Sequence, residues 1–162
     1  MLDKAALRDR LISTLEDALE RAQRAQRTSQ EGVTHEDARA EGDKDMRATE
    51  ASYVARGQAM RVESLEADLA KVRSMKLRAF AAEAPIALGA IVVVETDQGE
   101  RRTLFVAPAG GGSRIAVDGG EVRVVTPSSP LGKSLLGATV GDAVRFERGD
   151  QPAEELEIVN VE

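Results

Sequence analysis

The chain has 162 residues, enough for one ordinary domain or two small ones, with 42% apolar and 31% charged residues, which fits a folded protein. Aromatics make up only 2%, so any core is aliphatic and aromatic platforms for stacking nucleic-acid bases are not expected. A net charge of −6, with a pI near 5.0, speaks against autonomous DNA binding, and the lack of cysteine removes disulfides, thiolate zinc sites and a cysteine nucleophile.

The first predicted element is a helix from about Leu2 to Gln30. Leu7, Leu11, Leu15, Ala18, Ala22 and Ala25 recur in steps of three and four, the stripe of a helix lying along a partner. A second helix is predicted from about Asp45 to Met75. Its stripe is Ala48, Ala51, Ala55, Gln58, Val62, Leu65, Leu69 and Val72, with Gln58 as a polar residue that sets register. Two such stripes in succession give an antiparallel helical hairpin, with small alanines distally and larger aliphatics toward the base. The plainer reading is a helical bundle or a dimeric coiled coil over residues 1–75.

Between the helices, Glu31 to Glu50 forms the tip. Seven acids against three bases give it a net charge of −4, most of the excess of the whole chain. Thr34 and Asp37 resemble a capping box and predict a short extra helical turn. His35, the only histidine, is expected as an exposed loop residue, since a lone histidine beside Glu36 and Asp37 lacks ligand spacing. Arg39, Lys44 and Arg47 either balance the tip acids or meet RNA phosphates. Tyr53, the only aromatic of the helical half, lies off the stripe and is expected to pack at the hairpin edge rather than touch a partner.

Composition changes near Ala84–Pro85. No proline precedes it and five follow, with most of the glycines and several Val-rich runs. The expected organisation is therefore a hairpin over 1–78, a linker over 79–84 and a β-rich domain over 85–162. Strands are predicted within Ile86–Thr96 and at Arg102–Ala107, Ile115–Val117, Glu121–Thr126, Val140–Glu147 and Glu154–Val161. Asp118-Gly119-Gly120 signals a hairpin turn. Pro130 to Leu136 reads as a short helix capped by Ser129. The result is a small, mostly antiparallel sheet with one helix.

The segment from Ser129 to Asp142, SPLGKSLLGATVGD, closely resembles the C-terminal signature of Gre-type transcript cleavage factors. Glu155 to Val159 resembles that family's last strand. Ala38-Arg39 followed after two residues by Gly42-Asp43 resembles its hairpin tip, and Arg61-Val62 with Leu65 to Leu69 resembles its second helix. The resemblance spans nearly the whole chain and is most specific at the C-terminal motif.

It implies an α+β protein: an antiparallel coiled-coil hairpin plus an FKBP-like C-terminal domain. It implies a bacterial, cytoplasmic, monomeric elongation factor that docks on the rim of the RNA polymerase secondary channel through Ser128, Ser129, Pro130, Leu131, Gly132 and Lys133. The hairpin then enters the channel, and Asp43 and Asp45 help hold a Mg²⁺ ion at the polymerase active site, beside the nascent RNA 3′ end. No cofactor is implied for the free protein, which would stimulate the polymerase's own nuclease rather than act as an independent enzyme.

Three departures bear on this. The family tip has Asp, two residues, then Glu, whereas here Asp43 is followed by Lys44, Asp45 and Met46, so Asp45 is the candidate replacement. The chain is two residues shorter than the family between tip and second helix. Ser128 stands where cleavage factors often carry Asp. A non-cleaving, channel-binding regulator is accordingly the alternative function. For Asp43 and Asp45 the competing reading is helix capping. For the SPLG segment it is turn geometry, with Leu135 and Leu136 in the core. A prolyl isomerase is a distant alternative, because such pockets are lined by aromatics and only Phe105 and Phe146 lie in the β-rich half.

Overall fold

The structure is a computed structural model that describes the backbone of residues 1–37 and 44–162 and the side chains of residues 1–32 and 46–162. Helix α1 spans Lys4–Asp37 and α2 spans Lys44–Ser74. Asp3 opens α1: its carboxylate accepts from the amides of Ala5 and Ala6, as an N-terminal cap does. The first helix therefore runs seven residues beyond the predicted stop at Gln30. Gly32 does not end it, and Thr34 to Asp37 continue it rather than forming a separate turn. His35 is thus a helical residue, not a loop residue.

The chain forms two compact units, Ser13–Ala70 and a second made of Met1–Ile12 with Lys71–Glu162. This division differs from the composition change at Ala84–Pro85, because the first turns of α1 and the end of α2 group with the sheet. The Ser13–Ala70 unit holds the antiparallel helical hairpin. Leu15, Ala22, Val62, Leu65 and Leu69 are buried in it. Ala18, Ala25, Ala48, Ala51, Ala55 and Gln58 are half-buried, so the predicted stripes coincide with the covered faces. Tyr53 does not pack at the hairpin edge. It is 70% exposed, and with Met46 and Met60, seven residues to either side, it lies on the face of α2 away from the stripe.

In the other unit, β1 (Ile91–Thr96), β2 (Arg101–Val106), β3 (Arg114–Val117), β4 (Gly120–Val125), β5 (Ala143–Phe146) and β6 (Glu154–Val161) form one sheet in the order β3-β4-β2-β1-β6-β5. All neighbours are antiparallel except β2 and β4. Asp118 and Gly119 make the two-residue β3–β4 turn, with Gly119 at φ +88°, where a side chain would be strained. The β1–β6 register shifts between Val93 and Val94, which face Asn160 and Ile158 and leave Val159 as a bulge. The extra residue puts Ile158 and Val161 on one face despite their odd spacing.

That face carries Val92, Val94, Leu104, Val125 and Ile158, all buried, and α3 (Pro130–Leu135) covers it with Leu131 and Leu135. The opposite face buries Ile91, Phe105, Val122 and Val124, and Leu7, Leu11, Val72 and Met75 are buried in the same compact unit. Arg10 donates to the carbonyl of Ala116, and a β-carbon at Gly110 would meet Leu11 Cδ1 at 2.7 Å. Phe80 packs against the core. Lys4 Nζ and the Arg78 guanidinium lie 4.7 and 4.6 Å from its ring centre, while Lys4 also donates to the Arg78 carbonyl at 2.7 Å.

Candidate functional site

The Ser128–Lys133 segment is built around a helix too short to persist alone. Ser129 sits in an extended conformation before α3. Its Oγ accepts from the Gly132 amide at 3.0 Å and donates to the Thr126 carbonyl at 2.8 Å, so one hydroxyl closes both the helix start and the preceding turn. Pro130 occupies the first helical position, where its missing N–H costs nothing. Gly132 is fixed by packing: a β-carbon there would lie 1.9 Å from the Thr126 carbonyl oxygen and 2.7 Å from its carbon. Beyond the helix, Gly137 turns at φ +83°, its amide donates to Ile86 O, and the Ile86 amide donates to Ala138 O, both at 2.9 Å. Asp142 accepts from the amide and hydroxyl of Thr139 at 2.8 and 3.1 Å.

The six residues expected at the docking surface divide into two groups. Ser128, Pro130 and Lys133 are exposed. Leu131 and Gly132 are buried and Ser129 is half-buried, so these three shape the segment. Leu135 is wholly buried, whereas Leu136, read from sequence as a core candidate, is 37% exposed. Leu88 and Val140 are also exposed apolar residues, at 41% and 40%. Leu88 went unnoticed because it lies in the apolar stretch from Ile86 to Ile91, and Val140 because it was read as the start of a strand that begins only at Ala143. A cavity of about 290 Å³ adjoins the segment, lined in part by Thr126, Ser129, Pro130, Leu131, Phe146 and Arg148. Thr126, Ser129 and Arg148 bring polar groups to it, and Leu131 and Phe146 apolar ones.

At the other candidate site, Asp43 lies outside the described residues, as do Arg39 and the side chains of His35, Lys44 and Asp45. The backbone of Asp45 belongs to the first turn of α2, and Met46 beside it is 81% exposed. Carboxylates are the hard oxygen donors that Mg²⁺ takes, so the residue types suit that ion. Among the described residues, no group of three or more His, Asp or Glu side chains is arranged to hold a metal. None of the described helices is long and apolar enough to cross a membrane.

Residues 82–162, half of the chain, match the family described as transcription elongation factor, GreA/GreB, C-terminal part. The match contains the whole SPLGKSLLGATVGD segment. No curated protein matches the chain. Among solved structures, a transcription factor Gfh1 is 23% identical, with 93% of this chain and 92% of that one covered and a TM-score of 0.41. The GreA factor homolog 1 of Thermus thermophilus is 23% identical, covers 93% and 94%, and has a TM-score of 0.39. The Gfh1 of Thermus aquaticus is 27% identical, covers 94% and 92%, and has a TM-score of 0.38.

Proposed function

Since this chain belongs to the GreA/GreB transcription elongation factor family, we propose that it acts on bacterial RNA polymerase, docking through its C-terminal domain and presenting the hairpin to the secondary channel. The observation that carries this reading is the family match over 82–162 together with the form of the Ser128–Lys133 segment inside it. Ser129 and Gly132 fix the form of the segment, and Ser128, Pro130 and Lys133 are exposed at its surface. A preorganised, partly apolar surface loses little conformational entropy on binding.

In this reading Asp43 and Asp45 supply carboxylates to a Mg²⁺ ion at the polymerase active site and so promote cleavage of backtracked RNA. The ion would activate water and stabilise charge on the scissile phosphate. The chain's own part is to deliver two carboxylates on the hairpin and to keep them there through the C-terminal anchor. It works as a cytoplasmic monomer, with no cofactor of its own.

One observation favours the second reading, a channel-binding regulator that does not promote cleavage. Met46 stands at the family's Glu position, and it is exposed at the start of α2. A thioether is a soft, neutral group with little affinity for Mg²⁺. RNA cleavage in purified backtracked elongation complexes separates the two. Cleavage stimulated by the native protein and lost in the Asp43→Ala/Asp45→Ala variant assigns the tip carboxylates. Inhibition, or competition with an active cleavage factor without cleavage, assigns the regulator. The absence of both effects would overturn polymerase binding altogether.

A further inference from the structure

The β3–β4–β2 end of the sheet carries a charged groove that shares Arg123 and Arg148 with the cavity beside the docking segment. Arg114 and Arg123 are directly opposed in the β3–β4 register, and Arg123 in turn faces Leu104 across the β2–β4 pair. Like charges placed opposite each other on adjacent strands cost stability. Arg102 and Arg148 join them along one groove of about 750 Å³. The same groove is lined by the acids Glu100, Asp118, Glu121 and Glu154. Three of these are already engaged: Arg102 holds Glu100 at 3.2 Å and Glu154 at 2.5 Å, and Arg114 holds Glu121 at 3.3 Å. No ion pair among the described residues involves Arg123 or Arg148. Partial burial, then the nearby Arg148, Arg114 and Arg102 guanidiniums, hold the Arg123 pKa below its ordinary value, with Glu154 acting the other way.

We propose that this groove is a binding site for a small, multiply charged phosphate-type oxyanion, held by Arg123 and Arg148 with Arg114 and Arg102 at its sides. A guanidinium presents paired N–H donors that match phosphate oxygens, and a half-buried Arg123 with an exposed Arg148 near it, neither in an ion pair among the described residues, gains from such a ligand. Bringing in negative charge also relieves the Arg114–Arg123 opposition. In a chain of net charge −6, two converging unpaired arginines are a local exception that the fold itself does not use.

Sodium tripolyphosphate is the probe, added to the full chain at constant ionic strength, with sodium chloride as the reference. The thermal midpoint is expected to rise with tripolyphosphate, and the Nε–H resonances of Arg123 and Arg148 to shift with the same saturation. Arg123→Gln/Arg148→Gln is expected to weaken binding by about tenfold or more. Arg145→Gln, on β5 outside the groove, is expected to leave it unchanged. The double variant should fold, since it removes a like-charge opposition. Folding is checked by its midpoint in chloride, and if it fails, the Nε–H shifts of the native chain decide alone. No saturable shift with tripolyphosphate, equal affinity in native and double-variant chains, or binding of an acidic peptide but not tripolyphosphate would overturn the proposal.

Discussion

The α-carbon of Gly132 faces the carbonyl of Thr126 so closely that a β-carbon would sit 1.9 Å from its oxygen. The obstacle is backbone, not the end of a flexible side chain, so the helix or the preceding turn must move to admit any other residue. Gly132→Ala is therefore expected to destabilise the protein by about 1–3 kcal/mol, the usual cost of overpacking. Urea denaturation measures it. An unchanged midpoint would show that the α3 start adjusts freely.

Ser129→Ala removes the acceptor for the Gly132 amide and the donor to Thr126 O together. The expected loss is about 1 kcal/mol, typical of an N-cap. Ser129→Asp retains the acceptor but not the donor, and should fall between the two. Hydrogen exchange at the Gly132 amide reports the cap directly and should accelerate in the alanine variant only.

Leu11 is fully buried in the compact unit that contains the sheet, next to Gly110. Leu11→Ala is expected to cost about 2–5 kcal/mol. For the same reason a fragment limited to residues 82–162 should be much less stable than the full chain and bind apolar dyes. It would lack Leu7, Leu11, Val72 and Met75 while keeping the face that carries Phe105. A fragment with the stability of the full chain would show that face to be self-sufficient.

Glu100 accepts from Arg102, and this hydrogen bond and charge hold its pKa below the ordinary glutamate value. A carboxylate with a depressed folded pKa contributes stability that is present above its unfolded pKa and lost as pH falls through the folded value. Following the Glu100 carboxyl by NMR should show a midpoint below the ordinary one, and Arg102→Leu should return it upward. Glu100 is fully exposed, so global stability is expected to change little.

Much of the architecture was legible from local pattern. The stripe from Leu7 through Ala22 and that from Val62 through Val72 are the covered faces, and every strand was located to within a few residues. Ser129 and Pro130 marked the start of α3 because capping is a local interaction. The extent of α1 was not legible: the stripe ends at Ala25, and Thr34 with Asp37 read as a separate capped turn, yet the helix runs through Gly32 to Asp37. Isolated glycines cost a helix only about 1 kcal/mol, which neighbouring turns can absorb. The parallel β2–β4 pairing was also beyond reach, since pairing between strands not joined by a tight turn leaves no periodic trace. Gly132 could be recognised as a motif residue, but its reason, the Thr126 carbonyl, emerges only in three dimensions. The tip acids gained nothing from the structure, as Asp43 and the Asp45 side chain lie outside the described residues.

The grouping of Met1–Ile12 with Lys71–Glu162 has a consequence for biosynthesis. Leu7 and Leu11 leave the ribosome about a hundred residues ahead of the sheet residues of their compact unit, such as Phe105 and Val122. At roughly 5–20 residues per second, the amino-terminal leucines wait seconds or more for those residues. Until then the start of the chain is an exposed amphipathic segment, open to chaperones, and its burial with the sheet is a late event of folding.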